Sequence, residues 1–320
     1  MTTPTDAVGC TALVLDIGGT KLAAAVGDTN GVLRRVCFAP TSSSDGGVRV
    51  LERAIALAQE VLVQEREAGG NVTALGVSTM GLTRADHVEL APNVPGWSDL
   101  AIPSTLAEAF TDLVVTVGND VKVATLAELF WGALVGVEHG IYLNLGTGVA
   151  AGLVVGGQLV DGAHGAAGEI GYCLLRGADE PLMAADGAAP AEEAFGGRGV
   201  ESRARSLLGR PVNVAELMDL ALRDERARQL TDEIWDGIAA LTANLAIICD
   251  PEVIAVGGGY VRSGDASLER VTEIVNRATP FPPTVTVGHF RADASLYGAL
   301  ALAQRESFER VVPRREGCER

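Results

Sequence analysis

The stretch TALVLDIGGTKLAAAV, residues 11–26, consists of an apolar run, a glycine turn and a second apolar run. This pattern predicts a β-hairpin whose tight turn is formed by Gly18 and Gly19. Adjacent glycines also let a phosphate approach the backbone, where Thr20 adds a hydroxyl and Asp16 can hold a hydrated magnesium ion. Glycine pairs in hairpins are more often purely structural, and the Walker A pattern GxxxxGK[ST] is absent. The pattern therefore predicts a β-hairpin, and by itself it is weak evidence for a phosphate site.

A second hairpin pattern begins at Ile141, where IYLNL, the turn GTG and VAAGLVV follow one another. Gly146, Gly148 and Ala151 also match the loose dinucleotide fingerprint G-x-G-x-x-G/A. That fingerprint needs a helix directly after it, whereas here another glycine-interrupted apolar run follows. An NAD-linked oxidoreductase is therefore disfavoured, and a duplication of the first hairpin is predicted.

Hydrophobic periodicity and breaker residues predict the other elements. We expect helices over 48–67, after Asp120, from an N-cap at Thr231 and from about Ala294, and strands over 74–78, 113–117 and 252–256. From Arg176 to Gly199 the sequence is rich in Ala, Gly and acids without periodicity, which predicts a long loop. No linker divides the chain into independent halves.

Composition limits the classes of protein and of partner. The chain has 320 residues, 48% of them apolar and 4% aromatic, which favours close-packed α/β layers in two domains. A formal charge of −16 would repel a phosphate backbone, so nucleic acid is not an expected partner. The five cysteines contain no CxxC pair, and neither a signal peptide nor a run of about 18 apolar residues occurs. We therefore expect reduced thiols, no membrane contact and a cytoplasmic protein.

The motif GND, residues 118–120, lies at the end of a predicted buried strand, and a predicted helix follows it. A carboxylate at such a junction is fixed and partly desolvated, as a base that takes a hydroxyl proton must be. Asp120 is therefore a candidate general base, although an ordinary helix N-cap explains it equally well. The chain contains only two lysines, Lys21 in DIGGTK and Lys122 just after Asp120.

Two further motifs combine glycines with polar side chains. In DGAHGAAGEIGY, residues 161–172, small residues leave Glu169 and Tyr172 accessible, and such carboxylates and phenols recognise sugar hydroxyls. Glu193 in PAEEAFGG is a further candidate contact, although an isolated acid is usually solvated surface. AVGGGY, residues 255–260, lines a strand end with glycines, which suits a flat adenine or ribose, although helix–sheet packing explains it equally well.

Taken together, these motifs resemble those of the ROK family of sugar kinases and related repressors. The resemblance extends from about Leu13 to Leu302 and rests on DIGGTK, PNVPGW, GND, NLGTG, GEIG, EEAFGG and AVGGG. It implies the duplicated α/β fold of the actin-like ATPases (ribonuclease H-like), with two lobes around a nucleotide and sugar cleft. The implied lobes are residues 1–120, completed by the C-terminal helix 295–320, and residues 121–294.

The resemblance implies an ATP-dependent kinase that transfers the γ-phosphate to a primary hydroxyl of a hexose or modified hexose, with Asp120 as general base. ATP and Mg²⁺ are the expected cofactors. The implied sugar contacts are Gly81, Asn93, Asn119, Glu169, Tyr172 and Glu193. The implied ATP contacts are Asp16, Gly18, Gly19, Thr20, Lys21, Gly146, Thr147 and Gly148 around two phosphate turns, and Gly257 and Gly258 in an adenosine loop.

The sequence departs from the family pattern at two places. The family usually carries a zinc site made by a histidine after GEIG and by three cysteines in a CxCGxxGC loop. Here Tyr172 stands at the histidine position, the loop is ADEPLMAADGAAPAEE, and Cys173 alone cannot build a tetrahedral site, so we expect no structural zinc. The second departure is Lys122, which replaces a small or amide residue and either contacts phosphate or faces solvent.

The histidine that Tyr172 replaces also touches the sugar in relatives. Tyr172 therefore puts plain glucose in doubt and makes an aminohexose such as kanosamine, or a C7 cyclitol, a candidate substrate. A sugar-responsive repressor would need a further N-terminal DNA-binding module, for which we expect no room before Asp16. A non-catalytic sugar-binding regulator is the alternative of another class. The expected partners are a sugar or polyol and ATP, and a homodimer is the common case in such families.

Overall fold

The computed structural model describes residues 11–84, 86–91, 94–175, 183–263 and 265–309. The chain divides into two compact units, Met1–Ala127 with Ser295–Arg320 and Glu128–Ala294. It passes from one unit to the other between Ala127 and Glu128 and again between Ala294 and Ser295. In the part of the chain that the structure describes, no helix is both long and apolar enough to cross a membrane.

Groups of strands and groups of helices follow one another along the chain. The strands are β1 (Thr11–Ile17), β2 (Lys21–Gly27), β3 (Leu33–Pro40), β4 (Val72–Thr79), β5 (Leu82–Thr83), β6 (Val88–Glu89), β7 (Val114–Asn119), β8 (His139–Leu145), β9 (Val149–Val155), β10 (Gln158–Leu159), β11 (Val253–Gly257) and β12 (Thr284–Val287). The helices are α1 (Gly47–Glu67), α2 (Ile102–Ala109), α3 (Asp120–Trp131), α4 (Pro190–Phe195), α5 (Gly197–Leu208), α6 (Val214–Ala221), α7 (Glu225–Cys249), α8 (Asp265–Ala278) and α9 (Ala294–Glu309).

Each unit contains a five-stranded sheet, and the two sheets share one topology. The strand order is β3-β2-β1-β4-β7 in the first unit and β10-β9-β8-β11-β12 in the second. In both sheets three strands form an antiparallel meander, and the last two strands run parallel to the first strand of the meander. The predicted α/β class and the predicted duplication of the hairpin are therefore confirmed.

The sheet of the first unit is covered on both faces. Leu13, Leu15 and Ile17 of β1 share one apolar core with the buried side chains of α1. On the other face α9 approaches closely, because a Cβ added at Gly76 of β4 would lie 1.9 Å from the carbonyl oxygen of Ala299. Burial on both faces explains why residues 12–15 of β1 form an unbroken apolar run that does not alternate with polar residues.

The core of the second unit is built around α7. Ile234 and Ile238 of this helix belong to one apolar cluster with Ile141 and Leu143 of β8. The spacing of these apolar residues along α7 is that of a helix with one buried face, as the sequence predicts.

The start of α7 differs from the prediction. The helix begins at Glu225, earlier than the predicted N-cap at Thr231. The reason is Asp224, whose carboxylate caps the helix by accepting a hydrogen bond of 2.8 Å from the N–H of Arg226. Thr231 therefore lies inside the helix.

The predicted loop from 176 to 199 is partly helical. Pro190 begins α4, and α5 starts at Gly197. A proline at the first helical position is favourable, since its missing N–H would have no partner there. Residues 176–182 of the predicted loop lie outside the described residues.

Glu128, on α3, is fully buried and holds the segment between β12 and α9 by hydrogen bonds. Its carboxylate accepts hydrogen bonds from the backbone N–H groups of Ala133 (2.7 Å), His289 (3.0 Å) and Phe290 (3.0 Å). Gly132 makes room for it, because a Cβ there would lie 2.2 Å from Oε2. The carboxylate thus joins α3 to the chain between β12 and α9.

We expect Glu128→Ala to lower the free energy of unfolding by about 3 kcal/mol, because three partly buried backbone N–H groups lose their acceptor and a cavity is left where Glu128 was fully buried. Glu128→Gln keeps one acceptor oxygen and should cost less. Chemical denaturation followed by circular dichroism measures both. Glu60→Ala, at an exposed site on α1, is the control and should change stability by no more than about 0.5 kcal/mol. Equal effects at the two positions would contradict this role of Glu128.

Candidate active site

The first phosphate turn, from Gly18 to Lys21, connects β1 to β2 and is held by a buried threonine. The N–H of Gly18 donates to the carbonyl oxygen of Lys21 at 3.1 Å. Thr41 donates its hydroxyl to the Gly18 carbonyl at 2.7 Å and its N–H to the Thr20 carbonyl at 3.1 Å. The guanidinium of Arg53 donates to the carbonyl of Thr41. These contacts fix the turn from the side of the core.

The tip of this turn is accessible. A Cβ added at Gly19 would meet nothing within 4 Å, and Thr20 and Lys21 are exposed. The ammonium of Lys21 lies 4.5 Å from the centre of the Phe38 ring. A fixed turn with open backbone is the arrangement that a phosphate ligand requires.

Asp16 and the GND motif lie at one edge of the first sheet. Ile17, Thr79 and Asn119 are register neighbours at the carboxyl ends of β1, β4 and β7. Carboxyl ends of neighbouring parallel strands share an edge, which is where ligands bind in open α/β sheets. The structure therefore brings Asp16, which precedes Ile17, and Asp120, which follows Asn119, to the same edge as the first phosphate turn.

The first turn of α3 is capped by Asn119. Its Oδ1 accepts hydrogen bonds of 3.1 Å from the N–H groups of Val121 and Lys122, and its Nδ2 donates to the carbonyl oxygen of Gly81 at 3.0 Å. Asp120 accepts from the N–H of Val121 at 2.8 Å. Asn119 thus performs the capping role that the sequence leaves open for Asp120, which favours Asp120 as a functional carboxylate.

The other predicted sugar contacts of the first unit are Gly81 and Asn93. Gly81 has φ 86°, and a Cβ there would lie 2.6 Å from the carbonyl oxygen of Glu89, so this turn needs glycine. Its carbonyl is held by Asn119, whose amide retains a second N–H for a ligand. Asn93 lies outside the described residues.

The second phosphate turn, Gly146–Gly148, connects β8 to β9 and packs against the corner between α4 and α5. The carbonyl of Gly146 accepts from the N–H of Gly197 at 2.9 Å. A Cβ added at Gly148 would lie 2.3 Å from the carboxylate of Glu192, so a side chain there would displace Glu192. Thr147, at the tip, is exposed.

The adenosine loop, which contains Gly257 and Gly258, neighbours the second phosphate turn. β11 runs parallel to β8, with Gly257 opposite Asn144. Gly258 has φ 90°, and a Cβ there would lie 2.3 Å from the carbonyl oxygen of Leu145, which immediately precedes the turn. Two predicted nucleotide contacts of the second unit are therefore brought together.

We expect Gly258→Ala to raise the KM for ATP at least about tenfold, because the side chain strains the backbone and pushes the loop away from the turn. Gly259→Ala is the matched control: a Cβ there meets nothing within 4 Å, so its KM should stay close to that of the native chain. Steady-state kinetics with varied ATP measures both. Similar KM values for the two variants would argue against this loop as a nucleotide contact.

Glu169, Tyr172 and Glu192 gather beside the second phosphate turn. The carboxylate of Glu192 accepts from the N–H of Val149 at 3.3 Å, and burial raises its pKa. Burial also raises the pKa of Tyr172, and the negative charges of Glu169 and Glu192 raise it further. Two carboxylates and a protonated phenol offer the acceptors and the donor that neighbouring sugar hydroxyls need.

Glu193, the sugar contact predicted from the sequence, does not lie against the second phosphate turn as Glu192 does. It is exposed, and its Oε1 accepts from the N–H of Ala189 at 3.2 Å at the start of α4. The neighbouring acid, Glu192, is half-buried against the second phosphate turn. Glu192, which the sequence analysis did not single out, is therefore the acid that the structure places against the second phosphate turn.

The chain is similar to proteins of one family over nearly its whole length. The ROK family model matches residues 12–306. The chain belongs to the ROK family. The family predicted from the motifs is thus confirmed.

Named ROK relatives are similar in sequence and in structure. The N-acetylmannosamine kinase of Escherichia fergusonii is 30% identical over 301 residues, which is 92% of this chain and 99% of the relative. The ROK hexokinase from Thermus thermophilus is 32% identical with a TM-score of 0.77, over 93% of this chain and 99% of that one. The ROK family glucokinase from Streptomyces griseus, solved with glucose and AMPPNP, is 26% identical with a TM-score of 0.76, over 92% of this chain and 99% of that one. The predicted actin-like ATPase fold is confirmed by this likeness.

Tyr172 and Cys173, the described residues at the expected ROK zinc position, do not by themselves form a tetrahedral zinc site. Tyr172 lies in the turn after GEIG, and Cys173 follows it. Within the described ranges, no group of three or more His, Cys, Asp or Glu residues could hold a metal ion. Residues 176–182 are not among these ranges, so the absence of a structural zinc stays a prediction.

Proposed function

We propose that this ROK protein is an ATP-dependent sugar kinase that transfers the γ-phosphate of ATP to a primary hydroxyl of a hexose or modified hexose. The observation that carries the proposal is the position of Asp120 at the edge of the first sheet, beside the first phosphate turn, with helix capping performed by Asn119. The kinase names of the relatives support the same class.

In the proposed reaction the sugar hydroxyl oxygen bonds to the γ-phosphorus, and the bond from that phosphorus to the β–γ bridging oxygen breaks. Asp120 accepts the hydroxyl proton, and ADP leaves with the bridging oxygen. A positioned base contributes about 10²–10⁴ in rate. The remainder comes from alignment and from stabilisation of the phosphoryl charge.

The ATP phosphates are proposed to lie on the backbone N–H groups of the two phosphate turns. These groups attract anions without a net charge, which suits a chain of charge −16. Lys21 adds a positive charge at the tip of the first turn. Asp16 fits a magnesium ion held through water, since Mg²⁺ usually keeps several waters and binds one or two carboxylates beside substrate phosphates. When bound, the ion offsets the phosphate charge.

For the sugar we propose Glu169, Tyr172 and Glu192 in the second unit, with Glu192 in place of Glu193. The phenol of Tyr172 is protonated at neutral pH and can donate to a sugar oxygen, and burial beside Glu169 and Glu192 raises its pKa further. Asn119 and Gly81 are proposed as contacts from the first unit.

The choice of sugar depends on Tyr172. Relatives are named for N-acetylmannosamine and for glucose, and both stay candidate substrates. A phenol in place of the usual histidine favours a modified hexose, an aminohexose such as kanosamine, or a C7 cyclitol. We also propose a cytoplasmic homodimer, and analytical ultracentrifugation tests the oligomeric state.

A coupled assay for ADP tests the function with N-acetylmannosamine, glucose, mannose, glucosamine, kanosamine and C7 cyclitols as acceptors. Turnover restricted to one acceptor would support a kinase whose selectivity depends on Tyr172. Absence of turnover with every acceptor, while ATP still binds in calorimetry, would favour a non-catalytic sugar-binding regulator. Phosphorus NMR of the product identifies the phosphorylated hydroxyl.

A further inference from the structure

Lys122 is an unusual residue for its place in the fold. It lies in the first turn of α3, two positions after Asp120, and is only 8% exposed. Lysine is almost never buried without a partner, because removing an ammonium from water is costly. The helix N-terminus also disfavours a cation, since the helix dipole is positive there. A nearby negative charge must therefore offset the ammonium.

Asp16 is a carboxylate on the face of the sheet that α3 approaches. Asp16 pairs in register with Ser78, and Ser78 pairs with Gly118, so the three residues point to one face. A Cβ added at Gly118 would lie 2.6 Å from the side chain of Val123, so the first turns of α3 cover this face. Lys122, which precedes Val123, therefore belongs to the helix segment that covers this face of the sheet at Gly118.

Ser78 gives an independent sign of a polar site at this point. It is fully buried between Asp16 and Gly118, and its hydroxyl has no hydrogen-bond partner within the described residues. A buried hydroxyl normally has a partner. An ammonium or a water bound to Lys122 is a partner of the right kind. Asp16, Asp120 and Lys122 each have interaction partners.

We propose that Lys122 is a positioning residue for phosphoryl transfer: its ammonium is an internal counter-ion that holds the carboxylates of Asp16 and Asp120 at the sheet edge. This inference rests on the proposed kinase function. Two carboxylates and a triphosphate at one edge of an acidic chain repel one another, and a fixed cation lowers that repulsion without leaving the site. The other lysine, Lys21, lies over Phe38 at the accessible tip of the turn.

The kinetic test compares Lys122→Arg with Lys122→Gln, which differ in charge. We expect Lys122→Gln to lower kcat at least about tenfold with KM values little changed, and Lys122→Arg to recover most of kcat. Arg49→Gln removes the same charge from an exposed site on α1 and should leave kcat unchanged. Equal kcat values for the two Lys122 variants would overturn the proposal. A higher KM for ATP with unchanged kcat would also overturn it, because Lys122 would then be a phosphate ligand.

A second test does not depend on turnover. Because the chain has two lysines, ¹³C-lysine labelling gives two sets of side-chain NMR signals, which Lys21→Arg assigns. We expect Asp16→Asn and Asp120→Asn each to shift the Lys122 signals, and Asp219→Asn, at an exposed site, to leave them in place. Unshifted Lys122 signals in both variants would overturn the proposal. If the native chain phosphorylates no sugar but these shifts occur, the proposed function fails and the counter-ion role stands.

Discussion

We expect Asp120→Asn to lower kcat by about 10²–10⁴-fold and to leave the KM values for ATP and sugar little changed. Asparagine has the shape of aspartate, and its amide oxygen can still accept the 2.8 Å hydrogen bond from the N–H of Val121. Helix capping is also preserved, because Asn119 performs it. The variant therefore loses the proton acceptor and little else.

Steady-state kinetics with the best acceptor of the panel measures this loss, and calorimetry with ATP checks that binding persists. Asp219→Asn, an exposed change on α6, removes the same charge elsewhere and should retain full activity. A near-native kcat for Asp120→Asn would remove Asp120 from the role of base. A loss of ATP binding equal to the loss of kcat would make it a binding residue instead.

Much of the fold could be predicted from local sequence. The two hairpins are visible because β1 and β8 are buried on both faces and are therefore continuous apolar runs that end in glycine turns. Asp120 could be placed at a strand-to-helix junction for the same reason. Strand β3 was missed, since this exposed edge strand carries mixed side chains without a clear period. Strand β12 was missed because its alternating run, TVTV, has only four residues.

The choice between Glu192 and Glu193 could not be made from the sequence. α4 has only six residues, so it has no apolar period that would show which of two adjacent acids is buried. Burial of Glu192 depends on a contact distant in sequence, with the turn at Gly148 and the N–H of Val149. Gly148, where a side chain would displace Glu192, is a local sign of that contact, but the sequence does not show which residue Gly148 contacts.

We expect Glu192→Gln to lower kcat/KM for the sugar by about tenfold to 200-fold, because a hydrogen bond from a sugar hydroxyl to a charged acceptor is lost. Glu193→Gln, one residue further along α4, is the matched control and should change kcat/KM little, since that side chain is exposed and caps the helix. Steady-state kinetics with varied sugar at saturating ATP measures kcat/KM for both variants. A larger loss at Glu193 would restore the sequence-based assignment.

The thermal stability of Glu192→Gln should be equal to or higher than that of the native chain, although its kcat/KM falls. Burial raises the pKa of Glu192, so the folded chain binds this proton more tightly than the unfolded chain. The ionised carboxylate therefore destabilises the fold, and its contribution worsens as pH rises from the usual glutamate range through the raised pKa. Glu192→Gln removes this dependence, so its Tm should equal or exceed the native Tm at pH 8, with the difference vanishing in acid. A lower Tm of Glu192→Gln at pH 8 would mean that the carboxylate stabilises the structure of the turn. A higher Tm together with lost activity would mean that Glu192 destabilises the fold and is retained because it binds the sugar.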